Sequence, residues 1–266
     1  MPYAVNRGVR IYYEIEGAGP PLVLAHGGSD SLEMWRRHGY TEGLKDDYGL
    51  VLFDFRGHGR SDSPGESSAY GEAITDDIIA VLDDLEILEA HYMGYSMGAS
   101  AGYRLAIRHP DRFRSFILGG MTPYEWPDVM VQAVNISIDN YRLLLTDPDA
   151  YLVQMEALVG HSLSVEERAE FVSRDAEAAI AVLFSLLDAP ALTDAELLQV
   201  RVPCMVYCGD QDPFYEGARQ SVERMPRAAF LSMDGLDHVS AFLNSDFVLP
   251  YVKAFLTVVE QKINPY

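Results

Sequence analysis

Hydrophobic residues along this chain follow two different spacings. Short continuous apolar runs at Pro21–Ala25 and Gly49–Phe53 are typical of strands that are covered on both faces. The segment Ala73–Leu88 instead places apolar residues such as Ile78 and Val81 at helical spacing, with acidic residues between them. Alternation of such strands and helices predicts an α/β fold with a parallel sheet and right-handed crossovers.

Further elements follow the same alternation along the chain. The run Val9–Ile15 is rich in β-branched and aromatic residues and follows a turn at Asn6–Gly8. We therefore expect the sheet to begin with a hairpin. The pattern also predicts strands at Ala90–Met93, Phe116–Leu118, Val202–Cys208 and Ala228–Met233, and helices at Ser31–Leu44, Met97–Arg108 and Val239–Gln261, the last interrupted at Pro250.

One long segment breaks the alternation. Tyr124–Leu192 has no convincing strand, and it shows helical patterns at Tyr151–Val159 and Val165–Leu187. We therefore expect a core formed by residues 1–123 and 193–266, with residues 124–192 as a helical insertion over the carboxyl edge of the sheet.

Composition restricts the class of protein and its partners. The 266 residues are 48% hydrophobic, and the mean hydropathy of -0.03 is that of a globular chain. Forty acidic and 20 basic side chains give a formal charge of -20. A nucleic-acid partner is not expected, because binding to phosphates depends on clustered Lys and Arg.

The two cysteines and the lengths of the apolar runs bear on compartment and membrane association. Cys204 and Cys208 would lie roughly 13 Å apart on one strand, beyond disulfide reach, so both are expected to be buried core residues. No apolar run is long enough to span a bilayer, and the first residues lack the apolar stretch of a secretory signal. The prediction is a soluble cytoplasmic protein without a membrane partner.

The segment Gly94–Gly98 carries the clearest chemical signal. It follows the apolar run Ala90–Met93 and reads as a strand that turns abruptly into a helix, with glycines flanking one serine. Such a nucleophile elbow holds a serine in a strained conformation with its hydroxyl exposed. Ser96 is therefore predicted to be a nucleophile that attacks a carbonyl group.

A serine nucleophile needs a base, because an unassisted hydroxyl reacts poorly at neutral pH. Among seven histidines, His238 lies in the loop between the last predicted strand and the C-terminal helix. That loop is expected at the same sheet edge as Ser96. His26 and His58 adjoin glycine turns, and we expect them to organise loops.

The base must in turn be oriented by a carboxylate. The segment Gly209–Pro213 follows a core strand and offers Asp210 and Asp212. The turn carries Asp212 further beyond the strand end, which favours it, whereas Asp210 sits where turn-stabilising side chains occur. Asp237 is a poor candidate, since it adjoins His238 in the sequence.

An oxyanion intermediate requires nearby hydrogen-bond donors. We expect one to be the backbone N–H of Met97, at the start of the helix after Ser96. The other candidate is the backbone N–H of Gly28, in the glycine-rich loop after Pro21–Ala25. The sequence shows no convergent metal-ligand pattern and no cofactor motif, so no metal and no cofactor are predicted.

Along nearly its whole length the chain resembles the α/β-hydrolase fold superfamily. Five landmarks occur in the superfamily's order: His26–Gly28, Asp54–Ser61, Gly94–Gly98, Gly209–Asp212 and Gly235–His238. The resemblance implies an eight-stranded, mostly parallel, twisted sheet flanked by helices, with residues 124–192 as a helical cap. It also implies a Ser96–His238–Asp212 triad, and a supporting, non-catalytic role for the segment from Asp54 to Ser61.

Ser96 narrows the chemistry that the resemblance implies. Members that open epoxides or remove halogens from alkanes place Asp at the elbow, and this chain does not. The expected activity is hydrolysis of a small or medium carboxylic ester or lactone through an acyl-enzyme. Two alternatives stay open: a serine-dependent C–C bond hydrolase of a β-diketone-type substrate, and a ligand sensor on the same fold. The sequence leaves the choice between monomer and homodimer open.

Overall fold

The computed structural model describes residues 2–28 and 30–263. Within these ranges the chain forms eight strands. The last seven lie where the sequence predicts strands, and the first pairs with the second as the opening hairpin. Their bounds are β1 Tyr3–Asn6, β2 Val9–Glu16, β3 Pro21–Ala25, β4 Gly49–Phe53, β5 Ala90–Tyr95, β6 Phe113–Gly119, β7 Cys204–Gly209 and β8 Ala228–Met233.

Helices occupy the intervals between the strands and the long insertion. In chain order they are α1 Glu33–Arg37, α2 Tyr40–Leu44, α3 Ala73–Asp84, α4 Met97–Arg108, α5 Asp128–Thr146, α6 Pro148–Val159, α7 Val165–Val172, α8 Ala176–Leu187, α9 Asp194–Leu197, α10 Tyr215–Arg224, α11 His238–Leu243 and α12 Ser245–Ile263. Short 3₁₀ turns lie at Ser67–Ala69 and Pro110–Arg112. Across the part of the chain described here, no helix has both the length and the apolar character needed to cross a bilayer.

All eight strands belong to one sheet, in the order β1-β2-β4-β3-β5-β6-β7-β8. The hairpin strands pair antiparallel, and β2 also meets β4 antiparallel. Every pairing from β4 to β8 is parallel. The prediction of an eight-stranded, mostly parallel sheet flanked by helices is therefore confirmed.

Two predicted helices are each broken in the structure. Ser31–Leu44 forms α1 and α2, because Gly39 adopts a φ of 79° that a helix interior does not allow. Val165–Leu187 forms α7 and α8. Here the Asp175 carboxylate accepts a hydrogen bond from the Ala178 amide at 3.0 Å and starts the second helix.

The predicted interruption at Pro250 is wrong. Pro250 lies inside α12, and the break comes earlier, at Asn244. The Asn244 carbonyl oxygen accepts hydrogen bonds from the amides of Phe247 and Val248, which begins the second helix. The exposed Pro250 removes only one hydrogen bond near the start of that helix, which makes it tolerable there.

The chain divides into two compact units. The first comprises residues 1–62, 72–126 and 190–266 and contains the sheet. Its buried cluster joins apolar residues of the strands to the inner face of α12, including Leu24, Met93, Tyr207 and Leu256. This unit therefore has a hydrophobic core of its own.

The second unit comprises residues 63–71 and 127–189 and is helical. Tyr141, Tyr151 and Met155 lie in its own buried cluster. Residues 63–71 belong to it although they precede the insertion, since the Gly71 amide donates to the Ser185 hydroxyl of α8 at 2.8 Å.

A fully buried ion pair ties the hairpin side of the sheet to α3. The Arg56 guanidinium donates to both carboxylate oxygens of Asp77, at 2.7 and 2.5 Å. The Asn6 amide group donates to the same carboxylate at 2.8 Å. Burial raises the pKa of Asp77, and the charge of Arg56 opposes that shift. The carboxylate depends on these donors because it has no access to water.

Replacing Arg56 by Leu should lower the free energy of unfolding by about 3–5 kcal/mol, since Asp77 stays buried without the guanidinium. Urea unfolding followed by circular dichroism measures the change. Arg219→Leu serves as the control, because Arg219 pairs with Glu216 and Glu223 at the surface of α10. Its cost should be about 1 kcal/mol or less. Equal losses in the two variants would contradict a special role for the buried pair.

Candidate active site

Ser96 occupies a strained turn between β5 and α4. Its φ is 53° and its ψ is -114°. Residues other than glycine rarely adopt a backbone conformation with a positive φ. The turn requires glycine at position 94. A Cβ on Gly94 would lie only 2.5 Å from the carbonyl carbon of Gly98, so no side chain fits there. The Ser96 amide donates to the Gly119 carbonyl oxygen at 2.8 Å, so β6 fixes the position of the turn.

The start of α4 also packs tightly against the end of β3. A Cβ on Gly98 would lie 2.1 Å from the Ala25 carbonyl oxygen. Two residues after Ala25, a Cβ on Gly27 would lie 3.6 Å from the Ser96 Cβ. The loop that begins at His26 therefore lies directly beside Ser96.

Two other segments bring a base and a carboxylate to this turn. The Ser96 hydroxyl lies 3.1 Å from Nε2 of His238, at the start of α11. Nδ1 of the same ring lies 2.7 Å from the Asp212 carboxylate, in the turn after β7. Because a carboxylate only accepts, Nδ1 carries the proton, and Nε2 is free to accept the proton of Ser96.

Asp212 is held in place by the turn around it. One carboxylate oxygen faces His238, and the other accepts a hydrogen bond from the Phe214 amide at 2.9 Å. The carboxylate is fully buried, whereas about a quarter of the His238 side chain is exposed. Gly209 allows the two loops to meet, since a Cβ there would lie 2.0 Å from the Leu236 carbonyl oxygen.

The two other acidic residues considered from the sequence have structural contacts. Asp210 accepts a hydrogen bond from the Gly235 amide at 2.7 Å, so it links the turn after β7 to the loop after β8. Asp237 caps α11 by accepting from the amides of Val239 and Ser240. The structure thus places Asp212 against His238 and directs Asp210 and Asp237 elsewhere.

The amides of Gly28 and Met97 were predicted to be oxyanion donors. Met97 is the first residue of α4, where a helix leaves its amides unpaired. Within residues 2–28 and 30–263, neither amide donates to another protein group. The neighbouring Gly27 amide, in contrast, is directed at the Met34 sulfur at 3.2 Å. The two predicted donors are available to a ligand.

His26 organises the loops beneath this site, as the sequence indicates. Its Nε2 accepts a hydrogen bond from the Phe55 amide at 3.0 Å, and its Nδ1 donates to the Gly27 carbonyl oxygen at 2.7 Å. Burial lowers the pKa of His26 to about 4, although the bond to Gly27 opposes the shift. The neutral ring therefore joins the loop after β3 to the loop after β4.

His58 lies beside His26, with ring centroids 5.2 Å apart. Its Nδ1 donates to the Arg56 carbonyl oxygen at 3.1 Å. Burial and the neighbouring His26 ring lower the pKa of His58 to about 4. Both rings are thus neutral at pH 7 and serve as hydrogen-bonding parts of the loops.

The segment from Asp54 to Ser61 has the supporting contacts that the resemblance implies. The Asp54 carboxylate accepts hydrogen bonds from the amides of Leu32 and Arg60, at 2.7 and 2.9 Å. The Ser61 hydroxyl donates to the Asp54 carbonyl oxygen at 2.6 Å. Burial raises the pKa of Asp54, and these amide donors oppose the shift. The segment closes on itself and joins the start of α1.

Sequence reasoning missed three contacts around the site. The Tyr95 hydroxyl donates to the His238 carbonyl oxygen at 2.6 Å, and the Phe214 ring lies 5.8 Å from the imidazole. Cys208 is buried close to Asp212, and burial and that negative charge raise the pKa of its thiol well above the usual value. The place of Tyr95 inside the elbow is the one signal that indicates its role.

Comparison with known proteins gives the same architecture. The family model described as the alpha/beta hydrolase fold matches residues 20–145, from β3 to the end of α5. The enol-lactonase of Burkholderia xenovorans LB400 superposes with a TM-score of 0.76 at 26% identity, over 96% of this chain and 100% of that one. The chain has the alpha/beta-hydrolase fold.

Other proteins with this fold include different hydrolases. An epoxide hydrolase of Caballeronia sordidicola is 33% identical over 120 residues, which are 45% of this chain and 36% of that relative. The chain thus spans about a third of that relative's length. A structure from work on carboxylesterases of Nitrososphaera gargenis has a TM-score of 0.80 at 20% identity, over 98% of this chain and 100% of that one. At that identity the likeness concerns the fold.

The close approach of α4 to β3 predicts that a side chain at position 98 destabilises the fold. Gly98→Ala should lower the free energy of unfolding by about 1–3 kcal/mol, because the added methyl group meets backbone atoms that have no room to move. Urea unfolding measures the loss. Gly28→Ala is the matched control, since no heavy atom of the described residues, its chain neighbours apart, lies within 4 Å of its Cβ position. If Gly98→Ala is as stable as Gly28→Ala, the packing argument fails.

The lowered pKa values of His26 and His58 predict a loss of stability in mild acid. Between pH 6.5 and 4 the unfolded chain binds protons at His26 and His58, whereas the folded chain does not. The free energy of unfolding should therefore fall as the pH decreases through this window, by at most about 1.4 kcal/mol per pH unit for each histidine.

Urea unfolding at pH 7, 6 and 5 tests this dependence. His58→Gln should reduce the slope of the free energy of unfolding against pH by up to the contribution of one proton, about 1.4 kcal/mol per pH unit. The same change at His161, which is exposed in the helical unit, is the control and should leave the slope as it is. Identical slopes in wild type and His58→Gln would rule out a contribution from His58.

Proposed function

We propose that this chain is a serine hydrolase that cleaves a small or medium carboxylic ester or lactone through an acyl-enzyme. The observation that carries the proposal is the continuous hydrogen-bonded line from the Ser96 hydroxyl to His238 and then to the Asp212 carboxylate. A strained turn presents the hydroxyl. The amides of Gly28 and Met97, which have no hydrogen-bond partner among the described residues, lie on the segments beside it.

The first half of the reaction forms the acyl-enzyme. The Ser96 oxygen attacks the carbonyl carbon while Nε2 of His238 takes the hydroxyl proton. The carbonyl oxygen becomes an oxyanion that accepts hydrogen bonds from the amides of Gly28 and Met97. When this intermediate collapses, the bond to the alkoxy oxygen breaks and that oxygen receives the proton from His238.

The second half releases the acid and restores the site. His238 removes a proton from water, and the resulting oxygen attacks the acyl carbon in the same oxyanion environment. The bond to Ser96 then breaks, and the serine oxygen regains its proton from His238. Throughout, the buried Asp212 carboxylate stabilises the imidazolium and keeps its Nδ1 proton in place.

The nature of the nucleophile favours a carbonyl substrate. A serine hydroxyl lies where the epoxide-opening members that this chain resembles place a carboxylate, so an alkyl-enzyme ester is not the expected intermediate. The enol-lactonase of Burkholderia xenovorans LB400, which is 26% identical, shares the fold over 96% of this chain. This relative supports an ester or lactone as the substrate.

Ser96→Ala should lower kcat for p-nitrophenyl butyrate by about 10⁶-fold, and His238→Ala by a similar factor, because the nucleophile and its base act as a unit. Asp212→Asn should cost about 10⁴-fold, since the amide no longer fixes the imidazole tautomer. Steady-state kinetics with acetate, butyrate and γ-lactone substrates measure these losses.

Ser100→Ala is the matched control, because Ser100 lies one turn further along the same helix and its amide donates to the Ser96 carbonyl oxygen. It should keep wild-type kcat. Absence of turnover on every ester and lactone would contradict the proposal. In that case cleavage of a β-diketone would indicate a C–C bond hydrolase, and ligand binding without turnover would indicate a sensor.

A further inference from the structure

A groove lies at the edge of the sheet opposite to Ser96. It is formed at the first residues of β6, β7 and β8 and by the last two turns of α12, with a volume of about 560 Å³. Ser96 follows the carboxyl end of β5, and parallel strands place their first residues at the other edge. The groove is therefore separate from the candidate active site.

The floor of the groove is apolar. Phe255, Val258 and Ala228 line it, and almost half of the Val258 side chain is open to solvent. Cys204 also lies in the wall, and burial raises the pKa of its thiol to about 12, so it contributes a neutral surface. A volume of this size with a mainly apolar lining and a few charged groups is typical of small-molecule sites.

Two cations of the groove have no carboxylate within ion-pair distance in the described part of the chain. Of the 20 Lys and Arg residues in a chain with 40 acidic ones, fifteen lie within 4.0 Å of a carboxylate. Arg227 and Lys262, which line the groove, have no such carboxylate among the described residues. Arg201 has none either, and its carbonyl oxygen accepts from Arg227 at 3.2 Å.

The third cation of the groove is already paired. The Arg114 guanidinium lies 3.2 Å from the Glu260 carboxylate, which also bonds to His91 at 2.9 Å. Arg114 and Glu260 together are close to neutral. The Glu89 carboxylate also lies 3.7 Å from this guanidinium. The positive charge that remains for a ligand of the groove is therefore that of Arg227 and Lys262, in a protein of net charge -20.

The overall charge determines which anion fits. A net charge of -20 does not attract anions over a distance, and salt screens the local cations beyond about 8 Å. An anion that binds here must therefore make direct contact with Arg227 and Lys262 and also gain free energy from apolar contact. A small anion without a tail, such as sulfate, lacks the second contribution.

We propose that this groove binds a small amphipathic carboxylate, with its head group on Arg227 and Lys262 and its hydrocarbon tail against Phe255 and Val258. Each cation forms a charge-assisted hydrogen bond to the carboxylate. The tail covers apolar surface that is otherwise exposed, Val258 above all. The proposal does not depend on the hydrolase function, since no residue of the groove belongs to the candidate active site.

Isothermal titration calorimetry of the full chain with decanoate tests the proposal. Wild type should bind one decanoate, and Arg227→Glu and Lys262→Glu should each weaken the affinity about tenfold or more. Lys253→Glu is the matched control, because Lys253 lies on the same helix, outside the groove, and pairs with Asp47. It changes the charge equally and should keep wild-type affinity.

Three further ligands separate the contributions of head and tail. Hexanoate should bind more weakly than decanoate, by up to about fourfold for each methylene that is lost. Sulfate and 1-decanol, which lack the tail and the charge respectively, should each bind more weakly than decanoate. Hydrolysis of p-nitrophenyl butyrate and urea unfolding check that each variant is folded, and Arg227→Gln and Lys262→Gln replace any variant that is not.

Three results would overturn the proposal. The first is no decanoate binding by wild type at millimolar concentration. The second is equal affinity in wild type and both groove variants, which would place decanoate elsewhere, including at Ser96. The third is sulfate or 1-decanol binding as tightly as decanoate, which would show that the groove does not select an amphipathic anion.

Discussion

The candidate active site depends on backbone segments that approach each other without side chains between them. Gly98 lets the first turn of α4 touch the carbonyl group of Ala25, and Gly94 lets the elbow fold back on itself. Gly209 in the same way allows the loops that carry Asp212 and His238 to approach each other. A methyl group at any of these points would separate segments whose reactive atoms lie about 3 Å apart.

A layer of satisfied polar groups lies beside these contacts. Asp54 binds the amides of two segments, and His26 joins the loops after β3 and β4 as a neutral ring. The Arg56–Asp77 pair adds a buried link to α3. Because each group has several partners, a loop cannot move without leaving a buried donor or acceptor unpaired, and this makes the loops stiff.

The sequence predicted the sheet well, because buried parallel strands are continuous apolar runs with few alternatives. It predicted less well where helices break. Gly39 and Asn244 end helices through local backbone angles and capping bonds, whereas Pro250, the stronger signal in the sequence, is tolerated near a helix start. Helix boundaries depend on capping residues, each of which contributes a few tenths to about 2 kcal/mol of stabilising free energy. The spacing of apolar residues does not reveal these contributions.

For the site, spacing and order indicated Ser96 and His238. The turn after β7 favoured Asp212 over Asp210, and the resemblance favoured the same residue. The structure distinguishes the two carboxylates by their partners: Asp212 accepts hydrogen bonds from His238 and the Phe214 amide, whereas Asp210 accepts one from the Gly235 amide. Tyr95 was missed because its partner is a backbone carbonyl 143 residues away along the chain. Such long-range contacts to the main chain leave no mark on the residue type of the partner.

Tyr95 adjoins Ser96 and holds the main chain of His238. The serine and the imidazole are consequently fastened to one another through a hydroxyl that belongs to the elbow itself. Alignment of the two is completed when the protein folds, and an arriving molecule does not have to bring it about.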